Sequence, residues 1–171
     1  MSAPYAQYLS EGTLQDRFDS ERVIMEAAQS PAKLQELIAC LGDPNEVVRA
    51  RACAILERIT RANPRAAQAS GKLLVDLATS KATWLIRMNV ARMAPLIDWN
   101  PTDYEKILAF LFEEAEKQSG FVAAWAIDAL ARFSKKDESI RPRVRYMLEE
   151  ARDCGSASVR ARAKRYLREP K

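Results

Sequence analysis

Apolar positions along this chain recur on two scales at once. Within short stretches they fall three, four and seven residues apart, the spacing of helices with one buried stripe. Over longer distances one small pattern returns four times: Val48-Arg49-Ala50-Arg51-Ala52, Ile86-Arg87-Met88-Asn89-Val90, Val122-Ala123-Ala124-Trp125-Ala126 and Val159-Arg160-Ala161-Arg162-Ala163. Aligned on their second residues, at 49, 87, 123 and 160, the copies are 38, 36 and 37 residues apart. Seven positions further on, Leu56, Ala94, Leu130 and Leu167 keep the register. Upstream, a second stripe recurs at Leu37, Leu74, Leu108 and Val144, and again at Leu41, Ala78, Phe112 and Leu148. A fixed period of this length marks a repeat architecture, in which each unit buries its apolar face against the next.

Each unit predicts a helix A, a turn, a helix B and a loop. Gly42-Asp43-Pro44-Asn45, Ser119-Gly120 and Cys154-Gly155-Ser156 supply turns, and Asp43 or Asn45 can cap the first B helix. Pro64 and Pro101 stop one helix and can start the next. The units run approximately over 31–64, 65–101, 102–137 and 138–170, one domain overall. The expected fold is therefore an all-α superhelix of about four helical hairpins, with residues 1–30 as an N-terminal cap outside the repeat. In that cap Gly12-Thr13 can open a helix from about Leu14 to Gln29, burying Leu14, Phe18, Val23, Met25 and Ala27.

Counting from the arginine column as zero, columns 3, 6, 7 and 10 are mostly apolar and form the buried side of the B helices. Columns 2, 5 and 9 lie on another face. They hold Arg51, Asn89, Trp125 and Arg162; Ala54, Arg92, Asp128 and Arg165; and Arg58, Leu96, Arg132 and Glu169.

The stretch from Leu41 to Ala52 resembles the HEAT-repeat signature, an Asp-Pro turn leading into a Val-Arg-x-x-Ala helix, with Asp43, Pro44, Val48, Arg49 and Ala52 in place. Arg87 and Arg160 keep the arginine position; Ala123 does not, and the acidic position has no later equivalent. The resemblance covers about residues 31–168 and is to small bacterial-type proteins of this armadillo-like class. It implies a right-handed α-α solenoid rather than an activity. It also implies that Asp43 and Arg49 link neighbouring repeats, and that the B helices line a concave groove. Arg51, Arg58, Asn89, Arg92, Trp125, Asp128, Arg132, Arg162 and Arg165 would then form one arginine-rich groove with an aromatic near its middle, the composition of a binding hot spot.

Composition narrows the chemistry. With 48% hydrophobic and 29% charged residues and only 5 Gly in 171, the chain is an ordinary helix-forming sequence. No apolar run is long enough to span a bilayer, and the first residues lack a basic-then-apolar leader, so a cytoplasmic location is expected. There is no histidine, and the 3 cysteines (Cys40, Cys53, Cys154) have no metal-ligand spacing. Cys–His and Ser–His catalysis lack their base. Glu113/Glu114 and Glu149/Glu150 are adjacent, so they diverge on a helix and cannot flank one bond. Neither a cofactor, a metal nor an enzymatic activity is expected.

The net charge of +4 is unevenly placed: residues 101–128 carry 2 basic and 6 acidic side chains, residues 132–171 carry 13 and 6. The expected partner is a protein or peptide in the groove of a non-enzymatic scaffold. The alternative is nucleic acid, since related HEAT-like alkylpurine DNA glycosylases hold DNA in a basic cleft with Trp, Asp and Arg. Trp84 and Trp99 are expected to pack at loop ends, Trp84 as a staple for the second B helix.

Overall fold

The computed structural model describes residues 5–14, 16 and 18–168, and among them it is all helix, without strands. The chain forms two compact units, Met1–Asp98 and Trp99–Lys171.

The first unit opens with α1 (Tyr5–Leu9), α2 (Glu21–Gln29) and α3 (Pro31–Ala39). It continues with α4 (Glu46–Ala62), α5 (Gly71–Thr79) and α6 (Trp84–Met93). Short 3-10 turns at Cys40–Gly42, Pro64–Ser70 and Ala94–Leu96 join or extend them. In the expected scheme α3 and α5 are A helices, α4 and α6 B helices. Helix α4 starts where Asn45 Oδ1 accepts from the Val47 N–H at 2.9 Å. It stops at Asn63, held extended by the proline that follows it. Helix α6 is shorter than its counterpart because Pro95 lacks an N–H and its ring clashes with the carbonyl four residues back. Helix α4 packs on α6 through the expected columns: Ala52, Ile55, Leu56 and Ile59 are buried, as are Val90, Met93, Ala94 and Ile97.

The second unit holds α7 (Pro101–Glu116), α8 (Gly120–Phe133), α9 (Arg141–Cys154) and α10 (Ala157–Arg168). Its two hairpins, α7–α8 and α9–α10, join where α8 packs on α10. Asn100 caps α7 by accepting from the Asp103 N–H at 3.0 Å, with Pro101 in the first turn. The α7–α8 turn uses left-handed backbone at Gln118 (φ 51°) and Gly120 (φ 82°). The Gln118 carbonyl then accepts from Ser156 N–H at 2.9 Å, tying this turn to the α9–α10 turn. The A-helix stripe is buried at Phe112, Val144 and Leu148 and half-buried at Leu108. Glu169 and Pro170, which close the expected fourth repeat, lie outside the described residues.

The cap departs from expectation. No helix starts at Leu14: Leu14, Asp16 and Phe18 to Ser20 are non-helical, and α2 begins only at Glu21. The cause is local competition for backbone donors. Asp16 Oδ2 accepts from Thr13 N–H at 2.6 Å and Asp19 Oδ1 from Glu21 N–H at 3.0 Å, so side chains turn the backbone where a helix would have continued. Val23 and Ala27 are buried as expected, while Leu14 and Phe18 are half-buried and Met25 is exposed. Tyr5 and Leu9 supply the burial the sequence did not single out. The Tyr5 hydroxyl donates to Glu26 at 2.9 Å, and Lys33 sits 4.8 Å from its ring centre. Trp84 is the first residue of α6 and 58% exposed, and Trp99 is half-buried.

Candidate functional site

The arginine column does one job three times. Arg49 Nη1 donates to the Asp43 and Pro44 carbonyls at 2.7 and 2.9 Å. Arg87 Nη1 reaches the Ala78 and Ser80 carbonyls at 3.3 and 3.1 Å, and Arg160 Nη1 the Gly155 carbonyl at 2.7 Å. Each closes the turn of its own hairpin by satisfying carbonyls that the end of helix A leaves without a partner. The link between neighbouring repeats that the HEAT resemblance implied for Asp43 and Arg49 is thus replaced here by a clamp within one hairpin. Asp43 Oδ1 instead accepts from Asn45 N–H at 2.8 Å, one residue ahead of α4.

On α4 the presumed groove face is already covered, by the chain's own N-terminal segment. Arg51 is 8% exposed. Its guanidinium donates to the Leu9 carbonyl at 2.9 Å, to the Thr13 carbonyl at 2.9 Å, and to the Glu11 carbonyl. The Phe18 ring lies 4.4 Å from its Cζ. A buried cation is tolerated here because several carbonyl dipoles and an aromatic face replace its water. Two turns along, Arg58 donates to Ser20 Oγ at 2.8 Å and pairs with Glu21 at 2.6 Å. Arg51 and Arg58 therefore hold a protein segment, with the main chain on the first and a carboxylate on the second.

Helix α6 contributes no open polar surface. Asn89 is 2% exposed, and its Nδ2 donates back to the Leu85 carbonyl at 2.9 Å. Arg92 pairs at 2.9 Å with Glu57, a carboxylate only 3% exposed that also binds Arg61 at 3.0 Å. Glu57 left little mark in the sequence. Its one signal was the Glu57/Arg61 spacing of four, common on any solvated helix.

The second unit gathers the remaining expected residues on α8 and α10. Trp125 is half-buried, with Arg162 stacked 4.3 Å from its ring. Phe121, one turn before Trp125, is 65% exposed. Asp128 accepts from the Tyr166 hydroxyl at 2.9 Å. Burial first, and then the Asp128 charge and hydrogen bond, push the Tyr166 phenol up to about 12. Arg165 and Lys135 flank the same ring at 5.3 and 5.6 Å. Arg132 is half-buried and makes no ion pair among the described residues. Helix α10 carries 5 basic residues and no acidic one. The nine expected residues thus separate into a face on α4 filled by the chain itself, a structural pair on α6, and a basic, aromatic face on α8 and α10.

The two buried thiols, Cys40 and Cys53, are not chemically poised. Burial pushes Cys53 up to about 12 and Cys40 up to about 11, with Glu57 and Asp43 adding to the respective shifts. Among the described residues no group of three or more His, Cys, Asp or Glu is placed to hold a metal ion. No described helix is long and apolar enough to cross a membrane. No protein-family model, curated protein or solved structure matches the chain.

Proposed function

We propose that this protein is a non-enzymatic interaction module. In this reading its hairpins are HEAT-like repeats stacked as a right-handed solenoid, and its B helices bind protein segments. The observation that carries it is the Arg51 and Arg58 grip on Leu9, Glu11, Thr13, Ser20 and Glu21, a B-helix face of this chain engaged with the turns between two of its own helices. Non-helical segments suit such a face because arginine offers five donors in a fixed fork to carbonyls and carboxylates. The lack of any histidine and the suppressed Cys40 and Cys53 thiols accord with binding rather than catalysis. Selection from a random peptide library spanning all charge classes, using the full chain as bait, tests it. Reproducible enrichment of a related set of sequences is the expected result; failure of every charge class to enrich would remove the reading.

A second reading, nucleic-acid binding, is favoured by one observation, the wholly basic α10. A fluorescence titration with random duplex at several salt concentrations checks it. Phosphate contacts would make affinity fall steeply with salt, and no binding at low salt would dismiss it.

A further inference from the structure

We infer that the α8/α10 face is a docking site for an extended, acidic peptide segment, a proposal that rests on the interaction-module reading. The first unit shows what this chain's B-helix arginines do when occupied. Arg51 takes the carbonyls of a non-helical stretch and lies against an aromatic ring, while Arg58, two turns on, takes a carboxylate. The repeat register places Arg162 in the column of Arg51 and Arg132 in the column of Arg58.

In the second unit arginines of the same two columns come from two packed helices, Arg162 from α10 and Arg132 from α8. The Arg162 guanidinium is already braced on Trp125. Among the described residues its hydrogen bond is Nη1 to the Ser158 carbonyl at 3.5 Å, the long limit for such a bond. Donors therefore remain to be satisfied by a ligand backbone. Phe121 provides an exposed apolar surface one turn from Trp125, suited to a side chain of the bound segment. Charge selects the class of segment: α10 has no acidic residue, and α8 has one, Asp128, whose carboxylate is engaged by Tyr166. Asp128 also argues against a polyanion. A continuous phosphate chain would pass close to it between Trp125 and Arg132, whereas a peptide can place carboxylates at the arginines alone.

The test is fluorescence polarisation with the full chain and labelled peptides of equal length, acidic, neutral or basic, with labelled oligo-dT alongside. The acidic peptide should bind at least about tenfold more tightly than the neutral one, and Arg162→Gln should weaken it by about tenfold. Phe121→Ser and Arg165→Gln alter exposed side chains, so they keep the test meaningful if Arg162→Gln unfolds; each should weaken binding several-fold. Arg145→Gln, on α9, should have no effect. Equal affinity for all three peptides, or indifference to the Phe121 and Arg165 variants, would overturn the site while leaving intact any module shown by library selection. Tighter binding of oligo-dT than of the acidic peptide, lost in the same variants, would overturn it in favour of nucleic acid. If no library sequence enriches either, the module reading fails with it.

Discussion

Arg51 carries a full charge almost out of water, and its partners are main-chain carbonyls rather than a carboxylate. Hydrogen bonds to a charged group contribute more than neutral ones, and a carbonyl left unmade in a buried site costs its desolvation. Arg51→Ala should therefore destabilise the protein by about 3 kcal/mol, read by chemical denaturation, and residues 10–20 should become the first site of protease cleavage. Arg51→Lys keeps the charge but lacks the fork that spans several carbonyls, so it should recover only part of the loss. Arg92 was expected on an open face; paired with buried Glu57 it belongs to the core instead. Arg92→Ala should cost about 2 kcal/mol, less than a full orphaning because Arg61 remains on Glu57. Gly155 is required for space: a methyl there would collide with Val159 Cγ1 and the Ala151 carbonyl oxygen. Gly155→Ala should lower the thermal midpoint by several degrees, with a cost of about 2 kcal/mol.

At the scale of elements, helix starts are set by single side chains. Asn100 accepts from Asp103 N–H and also donates to the Asp103 carboxylate at 2.7 Å, holding the first turn of α7 from both sides. Asn100→Ala should destabilise by about 1 kcal/mol, seen as a lower denaturation midpoint at unchanged slope. The ten α-helices of the described residues follow the sequence closely at Asn45 and Pro101, whereas after Pro64 a 3-10 segment delays α5 to Gly71. They depart from it in the cap. Thr13, Asp16 and Asp19 are ordinary polar residues, and nothing in their spacing announces that they will turn the chain rather than let it coil into helix. The face was legible on α4 and α8, since columns 2, 5 and 9 fall within those helices at helical spacing. That Leu9, Glu11 and Thr13 would close over Arg51 was not legible, because carbonyl acceptors exist at every residue and leave no mark on side-chain identity.

For the whole molecule, ionisation gives a signed expectation. Hydrogen bonds hold three carboxylates below their ordinary range: Arg22 and Tyr5 on Glu26, Lys33 and the Tyr5 N–H on Glu36, and Ser139 and Tyr104 on Asp137. A depressed folded-state pKa contributes stability above the unfolded value and loses it as pH falls through the folded value. Thermal midpoints should therefore hold from neutral pH down to about 4 and fall below it. Tyr166 works in the opposite sense, because its phenol is raised. Its contribution is complete below the ordinary tyrosine value and is lost as pH climbs towards about 12. Absorbance at alkaline pH should show a late tyrosinate phase, smaller in Tyr166→Phe.

The sequence by itself determined the helical class, the period of the hairpins and the buried columns of the B helices. Helical burial repeats with the backbone geometry, so the 3.6-residue turn writes it into residue order. Tertiary structure decided which arginines meet solvent and which meet protein. Arg51 and Arg162 occupy one column of the repeat, yet one is held by Leu9, Glu11, Thr13 and Phe18 and the other rests on Trp125. That difference is set by what packs against each helix, a contact between residues far apart in the chain that no local pattern encodes.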